Sequence, residues 1–144
     1  MRKLSGMGGR SITDKELAGV EAAFGRGLPK KLRAALLSLP WIGLSAELDE
    51  DDDLSQFGVD MRVHTPKQMI LGLRYEPGKT ASRHGYFPIG ACLVGSADPY
   101  FVRLSDGAVV RVPHDNVAGG SLEPDDVDLV AKSLSVFVAK ATWS

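Results

Sequence analysis

The chain has 144 residues, with 17 basic and 18 acidic side chains and a formal charge of −1. It lacks the basic surplus that a phosphate backbone demands, so nucleic acid is not an expected ligand. At 44% apolar and 24% charged residues it has the composition of a globular domain, and a chain of this length buries roughly 70% of its unfolded surface, enough for one core. The near-neutral total hides an asymmetry. Residues 1–33 hold eight basic and three acidic side chains, whereas Glu47, Asp49, Glu50, Asp51, Asp52 and Asp53 stand together with no basic residue among them.

Residues 1–11 read as a flexible arm because Gly6, Gly8 and Gly9 resist ordering. A single domain over 12–144 is expected to follow. Thr13-Asp14-Lys15-Glu16 is a capping box with Ile12 and Leu17 at the staple positions, and Leu17, Val20 and Phe24 share one face, predicting a helix from about 14 to 24. Leu28-Pro29 starts a second helix through Leu32, Leu36 and Leu39, ending near Pro40. Residues 41–58 have little periodicity and read as an exposed loop, in which any strand is short.

Val59, Met61 and Val63 alternate with polar residues, as a strand with one buried face requires. Thr65-Pro66-Lys67-Gln68 is a second capping box, predicting a short helix with Met69, Ile70 and Leu73. Residues 76–84 read as a loop, and residues 86–94 as a buried strand beginning after Pro88. Residues 100–104 and 108–112 flank Ser105-Asp106-Gly107, a hairpin signal. From Pro124 a stripe of Val127, Val130, Leu134, Phe137, Val138 and Ala141, with Asp125, Asp126 and Asp128 in the first turn, predicts one long terminal helix. The order of elements is α+β.

Four motifs in this order resemble the SUKH superfamily, named in part for the yeast Smi/Knr cell-wall regulators, over about residues 12–140. They are the acidic first helix running into Gly27-Leu28-Pro29-Lys30-Lys31-Leu32; the segment Gly85-Tyr86-Phe87-Pro88-Ile89-Gly90; Gly95-Ser96-Ala97-Asp98-Pro99-Tyr100-Phe101 leading through the hairpin to Val112-Pro113-His114-Asp115; and the terminal Ala131-Lys132-Ser133-Leu134-Ser135-Val136-Phe137-Val138. The family's aromatic and Asn-Gly near the end of helix two have only Trp41 and Gly43 as counterparts here. The resemblance implies helices packed on a strongly bent antiparallel sheet in one domain, no catalytic residues and no cofactor. It also implies a protein partner, since many bacterial members are immunity proteins that neutralise a cognate toxin, often a nuclease. The alternative it offers is a regulatory scaffold of the Smi/Knr type.

The acidic run, read as a docking surface for a basic partner, supplies Glu47, Asp49, Glu50, Asp51, Asp52 and Asp53, with Trp41 as an aromatic anchor beside it. Its plainer reading is a solvated loop. Calcium is not expected, because the run has no glycine at a ligand turn. Cys92 lies mid-strand, where a small buried thiol packs, and one cysteine provides neither a disulfide nor a metal clip. His114-Asp115 reads as a turn, because adjacent residues on an extended chain point to opposite faces. His64, His84, His114 and Cys92 show no zinc spacing, so a hydrolase using Cys92 or His114 is the weakest reading. Gly6-Met7-Gly8-Gly9 has neither the preceding strand nor the following Gly-Lys of a phosphate loop, and Arg26, Lys30, Lys31 and Arg33 read as the solvated side of helix two. The longest uncharged apolar stretch, around residues 89–95, falls short of the about 18 residues of a membrane span, and no apolar segment follows the basic start. A cytoplasmic protein without membrane association is therefore expected.

Overall fold

A computed structural model describes residues 3–93 and 98–144. It contains helices α1 (Asp14–Phe24), α2 (Lys30–Ser38), α3 (Pro66–Arg74), α4 (Gly78–Arg83) and α5 (Leu134–Lys140). The strands are β1 (Ser45–Leu48), β2 (Val59–Val63), β3 (Tyr86–Cys92), β4 (Pro99–Arg103), β5 (Val109–Arg111), β6 (Asp128–Ala131) and β7 (Thr142–Trp143). They form one curled sheet in the order β6-β5-β4-β3-β2-β1-β7, antiparallel throughout. The helices pack on this sheet in a single α+β domain.

Local chemistry places the helix starts. The Thr13 hydroxyl accepts from the Glu16 amide at 3.1 Å while the Glu16 carboxylate accepts from the Thr13 amide at 3.0 Å. Thr65 and Gln68 repeat this arrangement at the start of α3. Arg10 grips the Glu16 carboxylate at 2.8 Å, and that hydrogen bond, helped by the Thr13 amide, holds the carboxyl down at about 2. Within the segment expected to be a loose arm, Leu4 is buried and Arg10 exchanges backbone hydrogen bonds with Ile42.

The two-residue period of the strands sorts side chains onto two faces. Val59, Met61 and Val63, Phe87 and Ile89, and Tyr100 and Val102 join the main core, closed by Leu17, Val20, Leu36, Met69, Leu134 and Phe137 from the helices. Tyr86, Phe101, Val110 and Val112 point the other way, into a smaller core covered by Ala81, Val117 and Leu122. A register shift lies between Pro88 and Gly90. Only glycine fits there, because a Cβ at Gly90 would sit 2.6 Å from the Met61 sulfur and 2.7 Å from the Arg62 carbonyl oxygen.

Residues 41–58 hold one short strand, β1, of four residues, as the expectation for that segment allowed. Three expectations need correction. Residues 76–84 include α4, which Gly78, Lys79 and Ser82 do not advertise; it is pinned by the Glu76 carboxylate, which accepts from the Thr80 amide at 2.7 Å and from its hydroxyl at 2.6 Å. The strand after the Gly-rich turn begins at Tyr86, before Pro88, since a residue at a bulge can lack an amide proton. The long terminal helix is instead a 3-10 turn at Pro124–Asp126, then β6, α5 and β7. Pairing of 128–131 with β5 outweighs a stripe rich in β-branched valine, and the Ser133 hydroxyl caps α5 at the Val136 amide. Val94, expected to end a strand, and Gly95-Ser96-Ala97 of the third motif lie outside the described residues.

Candidate functional site

The acidic segment splits into strand, turn and surface. Glu47 is exposed on β1 and stands directly opposite Asp60 of β2, a like-charge cross-strand pair that disfavours the folded state. After Leu48 the chain turns: the Asp49 carbonyl accepts from the amides of Asp52 and Asp53, both at 3.0 Å. Asp49, Glu50 and Asp51 are exposed and Asp52 half-buried. Among the described residues none of these four, nor Glu47 or Asp60, forms an ion pair.

Two members of the expected site do something else. Asp53 is only 2% exposed; its carboxylate accepts from the Ser55 amide at 2.8 Å and from the Ser55 hydroxyl at 2.7 Å, a side-chain-closed turn. It therefore shapes the loop instead of facing a partner. Trp41 is fully buried against Trp143, ring centroids 6.2 Å apart, so it is a core residue and no surface anchor. Its indole Nε1 has no hydrogen-bond partner among the described residues, whereas that of Trp143 donates to the Val138 carbonyl at 3.2 Å.

The aromatic at the surface is Phe57, 70% exposed at the far end of the run. It lies over the buried Arg111 guanidinium, 5.1 Å from ring centroid to Cζ. Arg111 donates to the Ser55 hydroxyl at 3.3 Å and pairs with Asp128 at 3.2 Å, and the Leu54 amide reaches the Val130 carbonyl at 3.0 Å. These contacts fasten the loop onto β5 and β6 beside a cleft of about 580 Å³ bordered by Asp49, Glu50, Phe57, Asp60, Tyr100, Arg111 and Asp128. Burial pushes the Tyr100 hydroxyl up to about 12, against the pull of the neighbouring Arg111, so the tyrosine stays neutral and the carboxylates set the charge of the rim.

Asp60 was legible as an outward position of an alternating strand, whereas Phe57 was missed, its one signal being an apolar residue in a polar loop. Arg111 was not legible, because Val110, Arg111 and Val112 are all buried and only the sheet brings the loop to it.

The candidates for other chemistry are dispersed. The partner of His114 is Asp98, which accepts from the His114 amide at 3.0 Å and lies 2.6 Å from its Nδ1, across 16 residues and not next door. His64 is half-buried just before α3, and burial pushes its imidazole down to about 4 despite the hydrogen bond it donates to the Gln68 side chain. His84 Nδ1 lies 3.0 Å from the Thr80 carbonyl. Among the described residues no group of three or more histidine, cysteine or carboxylate side chains is arranged to hold a metal ion, and no helix is long and apolar enough to cross a membrane. No family model matches the sequence, and no curated protein matches it.

Proposed function

We propose that this chain is a non-enzymatic protein-binding domain of the SUKH type, an immunity protein that neutralises a basic toxin by direct contact. The observation that carries the reading is the rim of carboxylates, Glu47, Asp49, Glu50 and Asp51 exposed and Asp60 half-buried, held in fixed geometry without neutralising partners among the described residues. Opposed like charges disfavour the free state, and a cationic partner relieves that repulsion on binding, so complementarity appears both in the association rate and in specificity. A nuclease cleft is basic because it must hold phosphate, which makes it a fitting counterpart. Phe57 takes the anchoring role: it is aromatic, exposed and backed by the fixed guanidinium of Arg111.

The experiment is co-expression with the product of the adjacent gene, scoring rescue from toxicity and then co-purification of a one-to-one complex. Reversal of Asp49, Glu50 and Asp51 to lysine is expected to slow association and abolish rescue. A toxin that remains lethal, or a neighbour that is harmless, sinks the immunity reading for that pair and favours a regulatory scaffold.

A further inference from the structure

The outer face of the β1–β2 pair is divided by charge. Residues 47–60 carry seven acidic and no basic side chains, whereas residues 62–83 carry five basic and one acidic. The boundary falls within β2. With Val59, Met61 and Val63 buried, Asp60 and Arg62 both point outward, Asp60 opposite Glu47 and Arg62 opposite Ser45, whose hydroxyl lies 3.4 Å from its guanidinium. Beyond Asp60 lies the acidic cleft with Phe57. Beyond Arg62 lies a groove of about 340 Å³ walled by Leu71, Tyr75 and Phe101, and Leu71 also borders the next groove, with Lys67 and Arg74. Each half thus combines unpaired charge with exposed apolar surface: Phe57 at 70% on one side, Leu71 at 40% and Tyr75 at 68% on the other. Arg62, Lys67 and Arg74 form no ion pair among the described residues.

We propose that this face is an interface for a second copy of the chain, the acidic half of each copy lying on the basic half of the other about a two-fold axis near the Asp60/Arg62 boundary. Adjacent halves of opposite sign are self-complementary under a two-fold rotation, which matches both contacts at once. A purely acidic or purely basic partner laid over the whole face satisfies one half and is repelled by the other, and an extended polyanion is repelled by Glu47, Asp49, Glu50 and Asp51, which are all exposed. A stable pair needs about 800 Å² from each copy, about a tenth of the 7451 Å² this chain exposes. Pairing covers Glu47 and Asp60, so it excludes the basic partner proposed above from the same carboxylates. It needs no partner to form, and its test is separate.

The test is light scattering and sedimentation on the full chain at high micromolar concentration. Twice the single-chain mass of 15.4 kDa is expected at about 50 mM salt, falling to the single-chain mass at about 0.5 M as exposed charges are screened. Glu47→Arg with Asp60→Arg, and separately Arg62→Glu with Lys67→Glu, each weaken self-pairing by at least about tenfold, yet an equimolar mixture of the two variants restores a two-chain species. A single-chain mass for the unmodified protein at low salt overturns the proposal. So does a folded double variant that still pairs with itself, or a mixture of folded variants that does not pair. Far-UV circular dichroism establishes folding, and if a variant fails to fold, the salt titration of the unmodified chain decides.

Discussion

Trp41 and Phe57 stand on either side of the acidic segment and have opposite fates. Trp41 precedes β1 and is sealed beneath it, fully buried beside Trp143; Phe57 follows the turn and lies open on Arg111. Both are aromatic residues flanking the same charges, so neither residue type nor distance along the chain separates an anchor from a core residue. What separates them is where the sheet runs. β1 sits between β2 and β7, which draws the residues before it into the main core, while the loop after it is fastened towards its far end, through Leu54 on Val130 and Ser55 on Arg111.

The strongest way to break this contrast is Trp41→Ala, expected to cost about 3–5 kcal/mol in denaturant unfolding. Trp41→Phe costs less, because it also removes a buried donor that lacks a partner. Equal tolerance of Trp41→Ala and Phe57→Ala would overturn the assignment of the two ends. A pH series adds a control that touches neither. The unfolded His64 imidazole binds its proton near the ordinary value of about 6.5 and the folded one only at about 4, so the unfolded state holds more protons in between. Stability from this group is complete above about 6.5 and is lost as pH falls toward about 4, by on the order of 2–3 kcal/mol. His64→Gln is expected to flatten that acid branch, measured as urea midpoints at several pH values.

Arg111→Met tests what holds the far end. It leaves Asp128 without its ion pair and Ser55 without a donor, for a loss of about 2 kcal/mol, and faster hydrogen exchange at the Leu54 amide is the local signature. Glu47→Lys works in the other direction. Turning the opposed like charges into an opposite pair is expected to raise stability by about 0.5 kcal/mol while weakening binding of a basic partner. The smallest effect on folding belongs to Phe57→Ala, within about 0.5 kcal/mol. Its consequence is expected in partner dissociation, measured by surface-captured kinetics.

The two capping boxes, the outward position of Asp60 and the Asp-Gly hairpin were readable because each depends on groups a few residues apart. The Gly107 amide donates to the Arg103 carbonyl at 2.7 Å, and the Asp106 carboxylate takes both the Ala108 amide and the Arg103 side chain. The candidate site was half readable. Glu47, Asp49, Glu50 and Asp51 are exposed as expected, but Asp53 differs from them only by a hydrogen bond to Ser55 that the charge pattern does not encode.

What the sequence determined by itself is the set of short-range choices: where α1 and α3 begin, which face of β2 is apolar, where β4 turns into β5, and that negative charge is concentrated in one segment. The tertiary structure alone decided the C-terminal segment, where pairing of β6 with β5 and of β7 with β1 replaced the continuous helix that its periodicity suggested. It also decided the pairing of Asp98 with His114 and the seat of Phe57 on Arg111. The physical reason is common to all three. A helix cap closes within one turn of backbone, whereas a strand position or a buried cation takes its partner from a segment whose place is set only when the whole sheet has formed.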